Sequence, residues 1–110
     1  MATTYKVLGQ SNPAAATATT LYTCPSATQT IISSIVVCNQ NTAGSATYRI
    51  AVRPDGAALA AQHYIAYDTT VAAGNSTALT LGMTIDSTDI VTVYASSSTV
   101  SFTAFGSEIA

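Results

Sequence analysis

The stretch Thr28–Asn39, TQTIISSIVVCN, constrains the fold most. It is the most apolar segment of the chain and is rich in β-branched residues, which pack well on a pleated surface. A run of this kind bounded by turn residues is a strand. It does not alternate cleanly. On a strict period of two, Ile31, Ile35 and Val37 share one face with Ser33, and Ile32, Val36 and Cys38 share the other with Ser34. A strand apolar on both faces is usually covered on both sides. In a chain of 110 residues one cover is the domain's own core, and the other is expected to be a neighbouring subunit. Ile31, Ile35 and Val37 are therefore expected at a subunit interface.

Charge supports an assembled protein. Only 7% of residues are charged, against about 25% in ordinary soluble domains. The charges are Lys6, Arg49, Arg53, Asp55, Asp68, Asp86, Asp89 and Glu108. A surface of Ala, Ser and Thr suits a chain locked into something larger, or a secreted domain. There is no basic cluster, so a nucleic-acid partner is not expected. The start, MATTYKVLGQSNP, has no apolar region behind a basic one, so synthesis in the cytoplasm without a secretory signal is expected. No apolar run approaches the roughly 18 residues that span a bilayer.

Read in order, the chain alternates short strands and turns. Thr4–Leu8 is a first strand, and Gly9–Pro13 breaks it. Ala14–Thr20 is an extended Ala/Thr segment, too rich in Thr for a helix, which leads into Leu21–Thr23. Residues 1–20 thus form an N-terminal strand and arm, and residues 21–110 the main domain. After the central strand, Ala46–Arg53 places Tyr48, Ile50 and Val52 inward and Thr47, Arg49, Ala51 and Arg53 outward. Pro54-Asp55-Gly56 is a turn, and Ala57–Ala61 a brief helical turn. His63–Asp68, Thr77–Ile85, Ile90–Ala95 and Val100–Phe105 complete the strands. Leu79, Leu81, Met83 and Ile85 share a face of their strand, and Val100, Phe102 and Ala104 oppose Phe105. Seven to eight short strands without a long helix predict an all-β fold, an antiparallel β-sandwich of immunoglobulin-like or jelly-roll topology.

Catalytic chemistry is not visible. His63 is the only histidine, and a lone histidine builds no triad. Asp86 and Asp89 flank a turn, where carboxylates bond local backbone amides. Two carboxylates with Ser87 and Thr88 fall short of a calcium shell. No metal or other cofactor is expected. Asn75-Ser76-Thr77 matches a glycosylation acceptor but reads as a Gly-Asn turn. Arg49 and Arg53 leave the same face of one strand, as solvated charges or as partners for Glu108 or Asp68 of another copy. Tyr64 and Tyr67 are interface candidates, because tyrosine buries area and keeps a polar tip.

Cys24 and Cys38 lack metal-ligand spacing. If the strands around CPSATQ form a hairpin, eight residues at roughly 3.3 Å each separate the thiols by over about 20 Å. That is beyond a disulfide's reach. Cys38 is expected to be a buried small residue. Cys24, in a turn before Pro25, is expected to be exposed, as a free thiol or as an intermolecular disulfide.

The pieces KVLGQ, LYTCPSATQTIISSIVVCN, YRIAVRPDGAAL, HYIAYD, LTLGMTI, DIVTVYA and FTAFGSEI together resemble small β-sandwich virion proteins of tailed bacteriophages. The resemblance covers nearly the whole chain and consists of strand-and-turn patterns. It implies a non-enzymatic structural component of a virion, a tail-fibre or baseplate-associated protein that self-associates and docks on the particle. A capsid decoration (cement) protein, or a receptor- or carbohydrate-binding module at a fibre tip, is the alternative. Its implied partners are further copies and other virion proteins, and its implied location is the virion. Cys24 stands where the family pattern has a small apolar residue such as Val. The pattern carries over no binding residues.

Overall fold

The structure is a computed structural model and describes residues 2–80 and 82–110. Nine strands lie among them: β1 Thr3–Ser11, β2 Thr19–Thr23, β3 Gln29–Asn39, β4 Ala46–Arg53, β5 Tyr64–Val71, β6 Ser76–Leu79, β7 Met83–Ile85, β8 Ile90–Ala95 and β9 Val100–Ile109. Single 3-10 turns at Pro54–Gly56 and Ala61–His63 join β4 to β5. The strands form two antiparallel sheets, packed face to face as the sequence predicts. The first sheet has the order β1-β9-β3-β6, with β7 also paired to β3, and the second has the order β2-β8-β4-β5.

Strand order chooses between the two topologies left open above. β6 and β7 act as two halves of one strand, since both pair with β3. The first strand then pairs with the last, the second with the second-last, the third with the third-last, and the middle two with each other. Nested pairs of this kind are one long hairpin rolled into two sheets, the jelly roll. The expected single strand Thr77–Ile85 is split around Gly82, which has a positive φ of 60°. Leu81, expected on its inner face, lies outside the described residues. β1 runs from Thr3 to Ser11 along β9 as an edge of the first sheet. The Ala/Thr segment after it crosses to the second sheet, tied by the Ala16 amide to the Ala95 carbonyl at 2.8 Å.

The core lies between the sheets. Ile32, Ile35, Val37 and Phe102 come from the first sheet, and Tyr48, Ile50, Val91 and Val93 from the second. Each such buried side chain stabilises the fold by about 1.5–3 kcal/mol. Tyr48 and Phe102 meet edge to face across the layers, with centroids 6.2 Å apart. Burial in β3 changes parity along the strand: Thr30 and Ile32 point inward, then Ile35, Val37 and Asn39. The cause is a β-bulge, a register slip against β9 between Ile32 and Ser34. Ile35 and Val37 are therefore 0% exposed core residues, not the subunit interface expected of them. Ile31, across the bulge, remains exposed.

Cys24 is also corrected. β2 and β3 are not a hairpin in one sheet: β2 lies beside β8 and β3 beside β9. The segment between them crosses from sheet to sheet, and Cys24 turns into the interior, 1% exposed. Its thiol contacts the Thr28 carbonyl at 3.3 Å and the Thr30 hydroxyl at 3.2 Å. Both cysteines are free, and an intermolecular disulfide at Cys24 would require this corner to open. Cys38, expected to be buried, is half-buried on the outer side of β3.

Candidate interaction surface

The single histidine is structural. His63 is buried and its Nδ1 accepts a hydrogen bond from the Ala60 amide at 3.1 Å. Asp89 accepts from the amides of Asp86 and Asp55, each at 2.9 Å, and so fastens the turn before β8 to the turn after β4. Among the described residues no group of three or more His, Cys, Asp or Glu could hold a metal ion, and no helix is long and apolar enough to cross a membrane.

What the fold displays instead is apolar surface on the outside of the first sheet. Cross-strand partners share a face, so register decides which residues meet. Tyr5 lies opposite Ser107, which lies opposite Ile31, and Val7 lies opposite Phe105, which lies opposite Ser34. Tyr5, Val7, Ile31 and Phe105 are all exposed, Tyr5 at 84%. Tyr5, Ile31 and Phe105 line a shallow depression of about 490 Å³ together with Lys6, Ser33, Gly106 and Ser107. Because β1 is an edge strand, the patch runs to the margin of the sheet, where Lys6 is the strand's only charge. Of the residues the sequence pointed to as an interface, only Ile31 lies here. Tyr5 and Val7 were legible as an i, i+2 pair in TYKVL, and Phe105 as the residue that opposes Phe102.

The other expected interface residues lie on the second sheet. Arg49 meets Asp68 of its own chain, with Nε–Oδ1 at 2.7 Å and Nη2–Oδ2 at 3.3 Å. Its guanidinium stacks on Tyr67 and on Tyr94, 4.2 Å from each ring centroid. Arg53 is consumed by the turn that follows it: Nε donates to the Ala57 carbonyl at 2.7 Å and Nη2 to that of Gly56 at 3.1 Å. Both arginines thus find partners within their own chain. Tyr64 and Tyr67 pack edge to face on β5, centroids 4.9 Å apart.

One polar network braces the margin of the first patch. Lys6 Nζ lies 2.8 Å from Glu108 Oε1, while the Tyr22 hydroxyl donates to Glu108 Oε2 and lies 2.8 Å from the Thr30 hydroxyl. Hydrogen bonds from Lys6, then from Tyr22, hold the Glu108 carboxyl below its ordinary value of 4.5. Burial, then the bond to Glu108, pushes the Tyr22 phenol above its ordinary value of 10.0. The folded Glu108 binds its proton more weakly than the unfolded one, so its contribution is present above about pH 4.5 and lost as pH falls through the depressed value. Tyr22 holds its proton more tightly when folded, so its contribution is complete below pH 10.0 and lost as pH rises beyond it. Denaturant midpoints measured across both ranges should show two limbs. Glu108→Gln is expected to flatten the acid limb and Tyr22→Phe the alkaline one, each at a cost of about 1–2 kcal/mol at neutral pH. Limbs unchanged in the variants would refute this account.

Comparison with known proteins found no matching family model and no matching curated protein.

Proposed function

We propose that the chain is a non-enzymatic structural subunit of a tailed-phage particle, a tail-fibre or baseplate-associated protein. It self-associates through the outer face of its first sheet and docks on the particle. The placement in a virion rests on the sequence resemblance. The observation that carries self-association is the patch of Tyr5, Val7, Ile31 and Phe105. Contiguous exposed apolar surface on a soluble domain marks a contact site. Burial is worth about 25 cal/mol per Å², so modest contacts repeated by symmetry hold an assembly together. The edge strand β1 adds unpaired backbone groups beside the patch, guarded by a single lysine.

Light scattering of the purified chain tests the association. An oligomer is expected, and Tyr5→Glu with Phe105→Glu should raise its dissociation constant at least about tenfold, some 1.4 kcal/mol, while the circular dichroism spectrum of the fold stays unchanged. A wild-type protein that stays monomeric at high concentration would remove self-association. Gold-labelled antibody against the chain, applied to particles released by cells that encode it, tests the virion placement. Label on tails supports it, and unlabelled particles oppose it.

A further inference from the structure

β1 ends the first sheet, and from Thr3 to Val7 every residue is exposed. β2 closes on the strand further along, at Gly9, where a Cβ would lie 2.2 Å from the Leu21 carbonyl oxygen. One backbone pair fixes where the groups of Thr3–Val7 point. Ala2 and Ala110 exchange both of their hydrogen bonds, at 3.0 and 2.9 Å. In an antiparallel ladder such pairs alternate with pairs that exchange none. Thr3 faces Ile109, Tyr5 faces Ser107 and Val7 faces Phe105, with no slip before Val7. The N–H and C=O groups of Thr3, Tyr5 and Val7 therefore point away from β9, to the open edge. Tyr5 and Val7 are also the residues of β1 that carry the apolar patch. The other sheet edges are blunted against pairing. β5 slips against β4 and holds Asp68 at φ 48°, β2 slips against β8, and β6 and β7 have only four and three residues.

We infer that two copies pair antiparallel along Thr3–Val7 about a two-fold axis at Tyr5, an arrangement that rests on the self-association proposed above. Tyr5 then faces Tyr5 of the second copy, and Thr3 faces its Val7. The residues with free backbone groups are spaced by two about Tyr5, so each outward N–H and C=O meets a partner, as a self-complementary contact requires. Cross-strand partners share a face, so the two Tyr5 rings pack together and the patches of both copies join across the axis. An edge lysine ordinarily wards off a neighbouring strand. Here Lys6 is already matched, with Nζ 2.8 Å from Glu108 Oε1. In this register Lys6 lies across from Thr4 of the second copy, and Thr4 lies across from Glu108 of its own chain. Each lysine thus stands between two carboxylates, and the two lysines are diagonal rather than opposite.

Light scattering and amide hydrogen exchange of the full chain, read by NMR, test the pairing. In the oligomer the amides of Thr3, Tyr5 and Val7 should exchange at least about tenfold more slowly than after dilution to the monomer. Those of Thr4 and Lys6, bonded to β9, should be protected in both states. Free exchange at Tyr5 and Val7 in an oligomer overturns the pairing and leaves self-association standing, whereas a chain monomeric at all concentrations overturns both. Single thiols read the register. Tyr5→Cys sets two Cα atoms about 5.5 Å apart across the axis, within a disulfide's reach. Val7→Cys sets them four residues apart along the strands, over about 13 Å, beyond it. Mild oxidation should link Tyr5→Cys into a dimer and leave Val7→Cys at the wild-type background set by Cys24 and Cys38. Faster linkage of Val7→Cys, or none of Tyr5→Cys where light scattering shows it associated, overturns the axis at Tyr5.

Discussion

Replacing Gly106 by alanine is expected to lower the melting temperature by about 10 °C or more, or to prevent folding. A Cβ at this position would lie 1.9 Å from the Ile31 carbonyl oxygen and 3.0 Å from both its carbon and Ile32 Cα. All three obstacles are backbone, so no rotamer change can relieve them. The crowding occurs where β3 bulges against β9, with Ile32 opposite Gly106 and Ser34 opposite Phe105. Overpacking usually costs about 1–3 kcal/mol, and an obstacle that cannot move puts this substitution at the upper end or beyond. Gly9→Ala should act alike, since its Cβ would meet the Leu21 carbonyl oxygen at 2.2 Å. Gly44 provides the control. Its nearest obstacle is Asn41 Nδ2 at 3.7 Å, and Gly44→Ala should stay within about 0.5 kcal/mol of wild type. Calorimetry on the three variants decides the matter, and a wild-type melt for Gly106→Ala would refute the close approach.

The second large effect is expected at Asn39, which is 1% exposed and joins three loops. Its Nδ2 donates to the Gly44 carbonyl at 3.0 Å and, more weakly, to that of Val71 at 3.4 Å. Its Oδ1 accepts from the Asn41 amide at 3.1 Å and the Thr99 hydroxyl at 3.0 Å. Asn39→Ala strands these groups, and each buried unsatisfied group costs about 1–3 kcal/mol. A net loss of about 3 kcal/mol is expected, since water reaches some of them. Asn39→Asp should be no milder at neutral pH, because a carboxylate would replace the donor that faces the carbonyls of Gly44, Val71 and Ala72. Burial beside carbonyls raises that carboxyl's pKa in the folded state, so the variant should regain stability as pH falls. Denaturant midpoints measure the loss. Hydrogen exchange should rise in residues 40–45, 72–75 and 97–99 together, whereas protection lost in only one loop would deny Asn39 its joining role.

Local chemistry made much of this legible in the sequence. Tyr48 and Ile50 point inward and Arg49 and Arg53 outward because β4 keeps its period of two without a break at those residues. Val100, Phe102 and Ala104 are buried, and Phe105 faces out, for the same reason. Pro54-Asp55-Gly56 and the Asp86–Asp89 turn form where residues tolerant of positive φ and of local side-chain bonds sit: Asp55 has φ 53° and Gly56 φ 67°. The tyrosines of β5 were visible as a cluster, but the hold of Tyr67 and Tyr94 together on Arg49 was not, because Tyr94 reaches it from another strand.

The sequence by itself determined most of the strands and turns and the shortage of charge, though Thr77–Ile85 is split in two and β1 runs through the expected break at Gly9 to Ser11. Each depends on neighbours a few residues away, or on none. Tertiary structure alone decided which sheet each strand joins, and so where Cys24, Ile35 and Val37 lie. Those outcomes depend on partners far along the chain: Thr3 pairs with Ile109, and β2 with β8 rather than with β3. Alternation with a period of two looks the same for every partner. One inserted residue in β3 then exchanges its faces, and the glycine that makes room for it lies in a different strand, at Gly106.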